Sequence, residues 1–573
     1  MKTALSYLRG LKGRMACGLT LKTVGSLAEL FLPLIMAYMI DTVAPRPDSE
    51  GALLLWGVVM LAFAVVALAG NIVANRMASK VARDVTERVR NDLFEKTLSL
   101  SARKTDEVTV PSLVSRLSSD TYNVHNMIGM IQRLGVRAPI LLIGGVVMTF
   151  TVEPVLALVL LAVVPVLASV VLIVSKKGIV LYTSLQKAVD GMVRKVRDDY
   201  SGARVIKALS KTEYESRSFE GINETVVARE TKAGITMGIT NPVMNMFLNL
   251  GMTAVILVGA YRVAAGKAMV GEIIAFTSYF TIILNAVISV SRIFVNVSKG
   301  SASARRIGEI LKTPGLPPKN ALPFDASAPY LSFENVTFSY GGAPVLKNIS
   351  FGIGKGQTLG VIGATGSGKT TLVNLLLRFY EADEGAVRLD GKDVKNYDVK
   401  ELREKFGVVF QNDFLMAASV RENIDFERGL TDEAIERAAK IAKADGFIAA
   451  SEEGYDTKLT AQGANFSGGQ KQRLLIARAL AADPEILVLD DSSSALDYKT
   501  DAALRKALSE NYPDTTIVMI AQRISSVRFA DRILVLENGE AVGFGTDAEL
   551  MQRSPVYRKI YRSQTGEEAC DAE

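Results

Sequence analysis

Six stretches of about twenty predominantly apolar residues, near 18–42, 53–75, 135–152, 154–175, 238–261 and 271–295, constrain this chain more than any other feature. In hydrocarbon no water is at hand for an exposed amide or carbonyl, so a spanning segment must satisfy its own backbone, and a lone apolar segment does so only as a helix. Six transmembrane helices are therefore expected. With 573 residues, 49% of them hydrophobic, and a mean hydropathy of +0.23, the chain is long enough for a second domain besides the membrane part.

The connections alternate in length. Those after the first, third and fifth stretches are short, whereas those after the second and fourth run to about 60 residues each and are rich in Lys and Arg. The positive-inside rule places both long loops, and both ends of the membrane part, in the cytoplasm. Val81, Val85 and Val89, followed by Leu93 or Phe94, recur at helical spacing among charged residues, so the spans are expected to continue as helices into the cytoplasm. Some 30 residues out and 30 back would reach roughly 40 Å below the membrane. Ahead of the first span, Lys2, Arg9, Lys12 and Arg14 stand without an acidic residue, which reads as an interfacial helix leading into a retained anchor.

Charge and composition exclude several classes. The net charge of +6 is modest, and the basic residues are scattered or lie beside apolar segments, which favours a membrane surface and not nucleic acid. Two cysteines, Cys17 and Cys570, give no disulfide framework, and a single histidine, His125, leaves no ligand set for zinc.

Five prolines between residues 312 and 329 mark a linker after a membrane domain of 1–311, and from Tyr330 to the end at 573 short β-like runs alternate with helices, as in an α/β domain. Within it, Gly363 to Thr370 fits G-x-x-x-x-G-K-[ST] between an apolar strand and a helix. Glycines let backbone N–H groups wrap a phosphate at a helix N-terminus, Lys369 reaches the terminal phosphates, and the Thr370 hydroxyl can ligate Mg²⁺. Asp490 ends another apolar strand, Ile486–Leu489, where it can hold the same ion. Gln411 follows a third strand in Val408-Val-Phe-Gln-Asn-Asp413. Ser467, Gly468, Gly469 and Gln470 open a helix that makes a second anion-binding terminus, which one domain with one nucleotide does not need for itself.

The order of GATGSGKTT, FQND, FSGGQ, ILVLDD and SALD resembles the ATP-binding cassette, a phosphate-loop NTPase fold. Six spans with two long cytoplasmic loops ahead of it resemble a half-transporter of the ABC exporter family with the type IV fold. The resemblance implies two cassettes paired head to tail, each ATP held between one chain's phosphate loop and the other's signature. It assigns Gly363, Ala364, Thr365, Gly366, Ser367, Gly368, Lys369, Thr370 and Thr371 to the phosphate loop and Tyr340 to adenine stacking. Thr370, Gln411 and Asp490 would hold Mg²⁺, while Ser467 to Gln470 and Asp497 would serve the partner's ATP. Coupling helices are implied near 111–120 and 208–216.

Two positions depart from the family pattern. Its general base is a glutamate where this chain has Asp491, and its switch histidine is replaced by Gln522. Losing one C–C bond withdraws a carboxylate by roughly 1.5 Å, and a misplacement of about 1 Å can cost on the order of 10²-fold in rate; glutamine cannot exchange a proton as imidazole does. The acidic residue expected before the signature is Ala461. The combination resembles the degenerate-site subunit of a heterodimeric bacterial multidrug exporter, lending its signature to a partner's competent site. A slow homodimeric exporter, an importer of iron-chelating molecules built on the same fold, and an ATP-gated channel stay open as alternatives. The cargo expected is an amphipathic small molecule, lipid or peptide crossing a cell membrane.

Polar residues within the spans point to the cargo path. Asn241, Asn245 and Asn249 recur at helical spacing on the fifth span and Asn285 lies on the sixth, readable either as interhelical hydrogen bonds or as substrate contacts. Glu29 is more demanding: an acid at a helix centre costs roughly 2.5–3.5 kcal/mol, so it must face a cavity or pair with a base. A cavity carboxylate would suit cationic cargo.

Overall fold

A computed structural model describes residues 6–314, 323–460, 463–492 and 494–565. Residues 315–322 of the expected linker, Ala461, Cys570 and the side chain of Asn241 lie outside the described residues. The chain divides into two compact units: the chain up to Ser99 with Thr109–Thr313, and Leu100–Val108 with the chain from Pro314 onward.

The first unit is helical. Its main elements are α1 (Lys12–Tyr38) and α2 (Glu50–Leu98), and then, beyond a short helix α3 (Ala102–Val108) that belongs to the second unit, α4 (Thr121–Leu134), α5 (Arg137–Val152) and α6 (Pro154–Ser201). They are followed by α7 (Ala203–Ala208), α8 (Thr212–Gly238), α9 (Thr240–Ala264) and α10 (Val270–Leu311). Among the described residues, five helical runs are long and apolar enough to cross a membrane: Arg9–Val43, Glu50–Leu98, Val110–Val152, Asn245–Ala264 and Val270–Leu311. The expected span at 154–175 lies in α6, where Pro154–Val166 is a shorter apolar stretch and several following side chains fall outside the described set.

The helices continue far beyond the bilayer, as the valine spacing predicts. With 49 residues, α2 is about 73 Å long at 1.5 Å per residue, against a hydrocarbon thickness of about 30 Å. Its valine stripe is buried together with Leu93, whereas Phe94 is 55% exposed, so the helical register selects the leucine. Residues 1–5 of the expected interfacial helix lie outside the described residues. A 3₁₀ turn at Arg9–Leu11 runs directly into α1, and Tyr7 and Arg14 bind Asp92 and Asp84 of α2 at 2.6 and 3.1 Å.

Buried polar contacts fix how these helices meet. Asp41 accepts from the backbone N–H groups of Gly271 and Glu272 at 2.6 and 2.9 Å, satisfying the open N-terminus of α10 with a carboxylate where the helix dipole favours one. The Tyr279 hydroxyl donates to Leu30 O at 2.6 Å inside a cluster of Leu30, Leu156, Leu160, Phe276 and Phe280. On the cytoplasmic extensions, buried Asp120 accepts from Ser303 Oγ and Arg306 Nε, each at 2.8 Å. Charge-assisted bonds of this kind contribute about 1.5–3 kcal/mol each, and removing the carboxylate leaves the cation unpaired. Asp120→Ala is therefore expected to lower the melting temperature of the detergent-solubilised chain, read as the loss of the monodisperse size-exclusion peak on heating, while Glu230→Ala, on the exposed face of α8, leaves it unchanged.

The second unit carries two sheets. The larger has the order β10-β9-β3-β8-β7-β6, from β3 (Thr358–Gly363), β6 (Phe406–Val409), β7 (Ile486–Asp490), β8 (Thr516–Ile520), β9 (Arg532–Glu537) and β10 (Glu540–Gly545); it is parallel except for β10. The smaller is antiparallel, β2-β1-β4-β5, from β1 (Leu331–Phe338), β2 (Leu346–Ile353), β4 (Glu384–Leu389) and β5 (Lys392–Asp393). Strands covered on both faces read as continuous apolar runs, which is why Ile486–Leu489 and Ile533–Leu536 show no polar alternation.

Candidate nucleotide site

Ligands in open parallel sheets bind outside the carboxyl ends of the strands, and four adjacent strands deliver the expected residues to that one edge. β3 leads into the glycine-rich loop and the helix α11 (Lys369–Leu376), β8 into Gln522, β7 into Asp490 and Asp491, and β6 into Gln411. These residues, with Thr365, Gly366, Gly368, Thr370 and Thr371, line one cleft. Motifs more than 150 residues apart in the chain thus become neighbours through strand order.

The loop's backbone requires glycine. Gly366 and Gly368 have φ of +82° and +101°, and a Cβ on Gly363 would stand 2.2 Å from Leu536 O. Lys369 donates from Nζ to Gly363 O and Ala364 O at 2.9 and 2.8 Å, folding back on the loop. Burial lowers its pKa, while Asp490 and Asp491 act in the opposite direction. Among the described residues, Ser367 Oγ and Asp490 Oδ2 are buried without a hydrogen-bond partner. A native fold leaves such groups open where a ligand completes them. An unpartnered carboxylate oxygen beside the Thr370 hydroxyl, with which Asp490 shares a hydrogen bond, fits a hard divalent cation such as Mg²⁺, and the glycine cradle with Lys369 fits the phosphates of ATP.

Asp490 and Asp491 both have raised pKa values, chiefly from burial; their mutual repulsion adds to the first, and Lys369 works against both. Their environments differ in one respect. Asp491 sits at φ +49°, with its N–H donating to Ile520 O at 2.9 Å, and its Oδ2 accepts from Gln522 Nε2 at 3.2 Å. The two departures from the family pattern, which the sequence presents 31 residues apart, are one hydrogen-bonded pair.

The other expected positions lie elsewhere. The Tyr340 hydroxyl donates to Thr371 Oγ1 at 3.3 Å and accepts from Asn374 Nδ2 at 3.1 Å, which ties the ring to α11. The same ring meets Tyr380 edge to face at 4.9 Å, and Tyr380 bonds Asp106 of α3. Arg103 of α3 donates to Ser339 O at 3.1 Å. Within the second unit, the first loop therefore meets the cassette through 102–108, a contact that no sequence signal pointed to. Ser467 to Gln470 and Asp497 do not line the cleft. Ser467 caps α12 (Gly468–Leu480) in a reciprocal box with Gln470, and Asp497 caps α13 (Tyr498–Asn511), where bonds from Thr500 hold its carboxyl below the usual range.

In the membrane unit, Glu29 and Asn285 line a cavity of about 340 Å³. Asn245 and Asn249 are exposed on α9 and make no interhelical hydrogen bond among the described residues. Glu29 both faces the cavity and pairs with a base, Arg137, at 2.7 Å. Arg137 escaped notice in the sequence because the positive-inside rule absorbs it into the basic edge of a loop.

An α/β phosphate-loop domain with a carboxylate-bearing strand in the same sheet, joined to a polytopic helical domain, defines an ATP-powered membrane transporter. Residues 15–287 match the ABC transporter transmembrane region and 346–494 match the ABC transporter domain. The chain is 34% identical over 576 residues to the ABC transporter ATP-binding protein YfiB of Bacillus subtilis, covering 100% of both, and 30% identical to the fatty acid ABC transporter ATP-binding/permease protein of Mycobacterium bovis, covering 85% and 78%. In fold it is similar to a bacterial Atm1-family ABC exporter with ATP bound, at a TM-score of 0.83, 23% identity and coverage of 98% and 99%. The chain belongs to the ABC transporter family, as a multi-pass membrane protein in which membrane region and cassette are one polypeptide.

The raised pKa of Asp490 gives a test. A carboxyl whose folded pKa lies above its unfolded value stabilises the fold below the unfolded pKa and loses that contribution as pH rises through the folded one. Near neutral pH, Asp490→Asn is expected to raise the melting temperature of the nucleotide-free chain and to abolish the further rise that Mg²⁺ with ATP gives the unmodified chain.

Proposed function

We propose that this chain is the nucleotide-holding half of a heterodimeric exporter of amphipathic molecules. The observation that carries the reading is the Asp491–Gln522 hydrogen bond within an otherwise complete phosphate site. Lys369 exchanges its two backbone carbonyls for phosphate oxygens, Ser367 donates from its open hydroxyl, and Tyr340 stacks on the base. Thr370, Gln411 and Asp490 would hold Mg²⁺, which when bound would offset phosphate charge and polarise the terminal phosphoryl group. Asp491 is the weak element: its carboxylate is short, and one oxygen is taken by an amide that neither accepts nor returns a proton. ATP is retained here and hydrolysed slowly.

Ser467 to Gln470 and Asp497 lie away from this cleft and are free to complete a partner's site. Hydrolysis there resets the pair, while closure of both cassettes opens the cavity outward. The fatty acid transporter among the relatives supports cargo with an apolar tail.

The test compares the chain alone with the chain joined to a half-transporter bearing glutamate and histidine at the matching positions. Alone it should retain labelled ATP on a filter yet turn over slowly, and Asp491→Glu with Gln522→His should raise turnover about tenfold or more. In the pair, Asp491→Asn should leave the rate within about twofold. Brisk hydrolysis by the chain alone, abolished by Asp491→Asn, would establish a homodimer instead.

A further inference from the structure

The cavity of the membrane unit is walled by Glu29 of α1, Leu134 of α4, residues of α5 including Arg137, and one face of α10 including Asn285 and Arg292. Two cations line it against a single carboxylate, and that carboxylate is already committed. Arg137 donates from Nε to Glu29 Oε2 at 3.2 Å and from Nη2 to both oxygens at 2.7 and 3.0 Å. A forked pair of this geometry neutralises itself and leaves Glu29 little net charge to offer a cationic cargo.

Arg292 stands differently. It is exposed to the cavity side, and among the described residues its guanidinium has no ion pair or hydrogen bond. Behind the wall, Lys22 is 3% exposed and gives its ammonium to Asn75 Oδ1 at 3.0 Å, not to a carboxylate, within electrostatic reach of Arg137, Arg133 and Glu29. Positive charge is thus in excess on this side of the cavity.

Its depth is set by helix geometry. Arg292 lies 22 residues into α10, about 33 Å from the outer end, and Glu29 lies 14 residues before Val43, about 21 Å from it. Against a hydrocarbon core of about 30 Å, the cavity occupies the cytoplasmic half of the bilayer with Arg292 at its inner boundary. A cation at that boundary is well placed to receive an anion whose apolar tail remains in the lipid.

Building on the transporter reading, we propose that this cavity is a headgroup site for anionic amphiphiles, a carboxylate or phosphate on an apolar tail, with Arg292 as the cation that meets the anion. The Arg137–Glu29 pair stays neutral, and the Asn285 amide adds a neutral donor on the same face as Arg292. The charge balance is opposite to the one a lone Glu29 implies.

The full chain in nanodiscs of phosphatidylcholine, titrated with the fluorescent fatty acid cis-parinarate, tests this directly. Saturable binding is expected, displaced by oleate but not by oleylamine or monoolein. Displacement by oleate alone assigns a free fatty acid, and displacement by phosphatidate as well assigns a lipid headgroup; both support the site. Arg292→Gln should weaken binding about tenfold, Arg292→Lys should restore most of it, and Glu29→Gln should leave it equal or tighter. Preferential displacement by oleylamine, or an Arg292→Gln chain that binds as the unmodified one does, would overturn the inference. Filter retention of ATP by each variant reports a folded chain and reads the nucleotide-holding role independently, so anion binding and ATP holding fail separately.

Discussion

A backbone amide in hydrocarbon has no water to turn to, and this requirement shapes the whole membrane unit. Once a segment must be helical to cross, continuing the helix into the cytoplasm costs little, because nucleation has already occurred. The 49 residues of α2 and the 42 of α10 are therefore single elements that begin near the outer face and end among cytoplasmic contacts. The polar ties gather where the helices leave lipid: Asp41 at the outer start of α10, Glu153 with Arg262 at 2.9 Å, and Asp120 with Arg306 on the cytoplasmic extensions. Between them, Phe276, Tyr279 and Phe280 fill the interior by shape.

Much of this was legible in the sequence, because the patterns concerned are local. Apolar length gave five of the six expected spans among the described residues, the spacing of Val81, Val85 and Val89 gave their continuation, and Gly363 to Thr370 gave the phosphate loop with its strand and helix. What escaped was relational. Nothing in the string says that β8 lies between β3 and β7; the resemblance alone put Gln522 and Asp491 at one site, and it did not give the hydrogen bond between them. Similarly, Arg137 and Glu29 are 108 residues apart, and each taken alone has a bland reading. The docking of 102–108 was also missed, since in the sequence this turn reads only as a break between helices and the cassette residues it meets, Tyr380 and Ser339, lie more than 230 residues away.

The two sites share a logic of prior commitment. In the cassette, Lys369 is bound to backbone carbonyls, and Asp491 to Gln522, before any nucleotide arrives. In the membrane, Glu29 is bound to Arg137. Among the described residues, the groups left without a partner, Ser367 Oγ and Asp490 Oδ2 in one place and Arg292 in the other, mark what each site lacks more clearly than the groups that are satisfied.

The backbone at Asp491 has a consequence of its own. Its φ of +49° lies in the left-handed region, where aspartate and asparagine are enriched because their short side chains tolerate it, while longer side chains are held there at some strain. A glutamate at this turn would gain reach while sitting in a conformation it does not favour. With aspartate the turn is relaxed and the carboxylate is shorter, so the comfort of the backbone and the reduced reach of the side chain come from the same missing carbon.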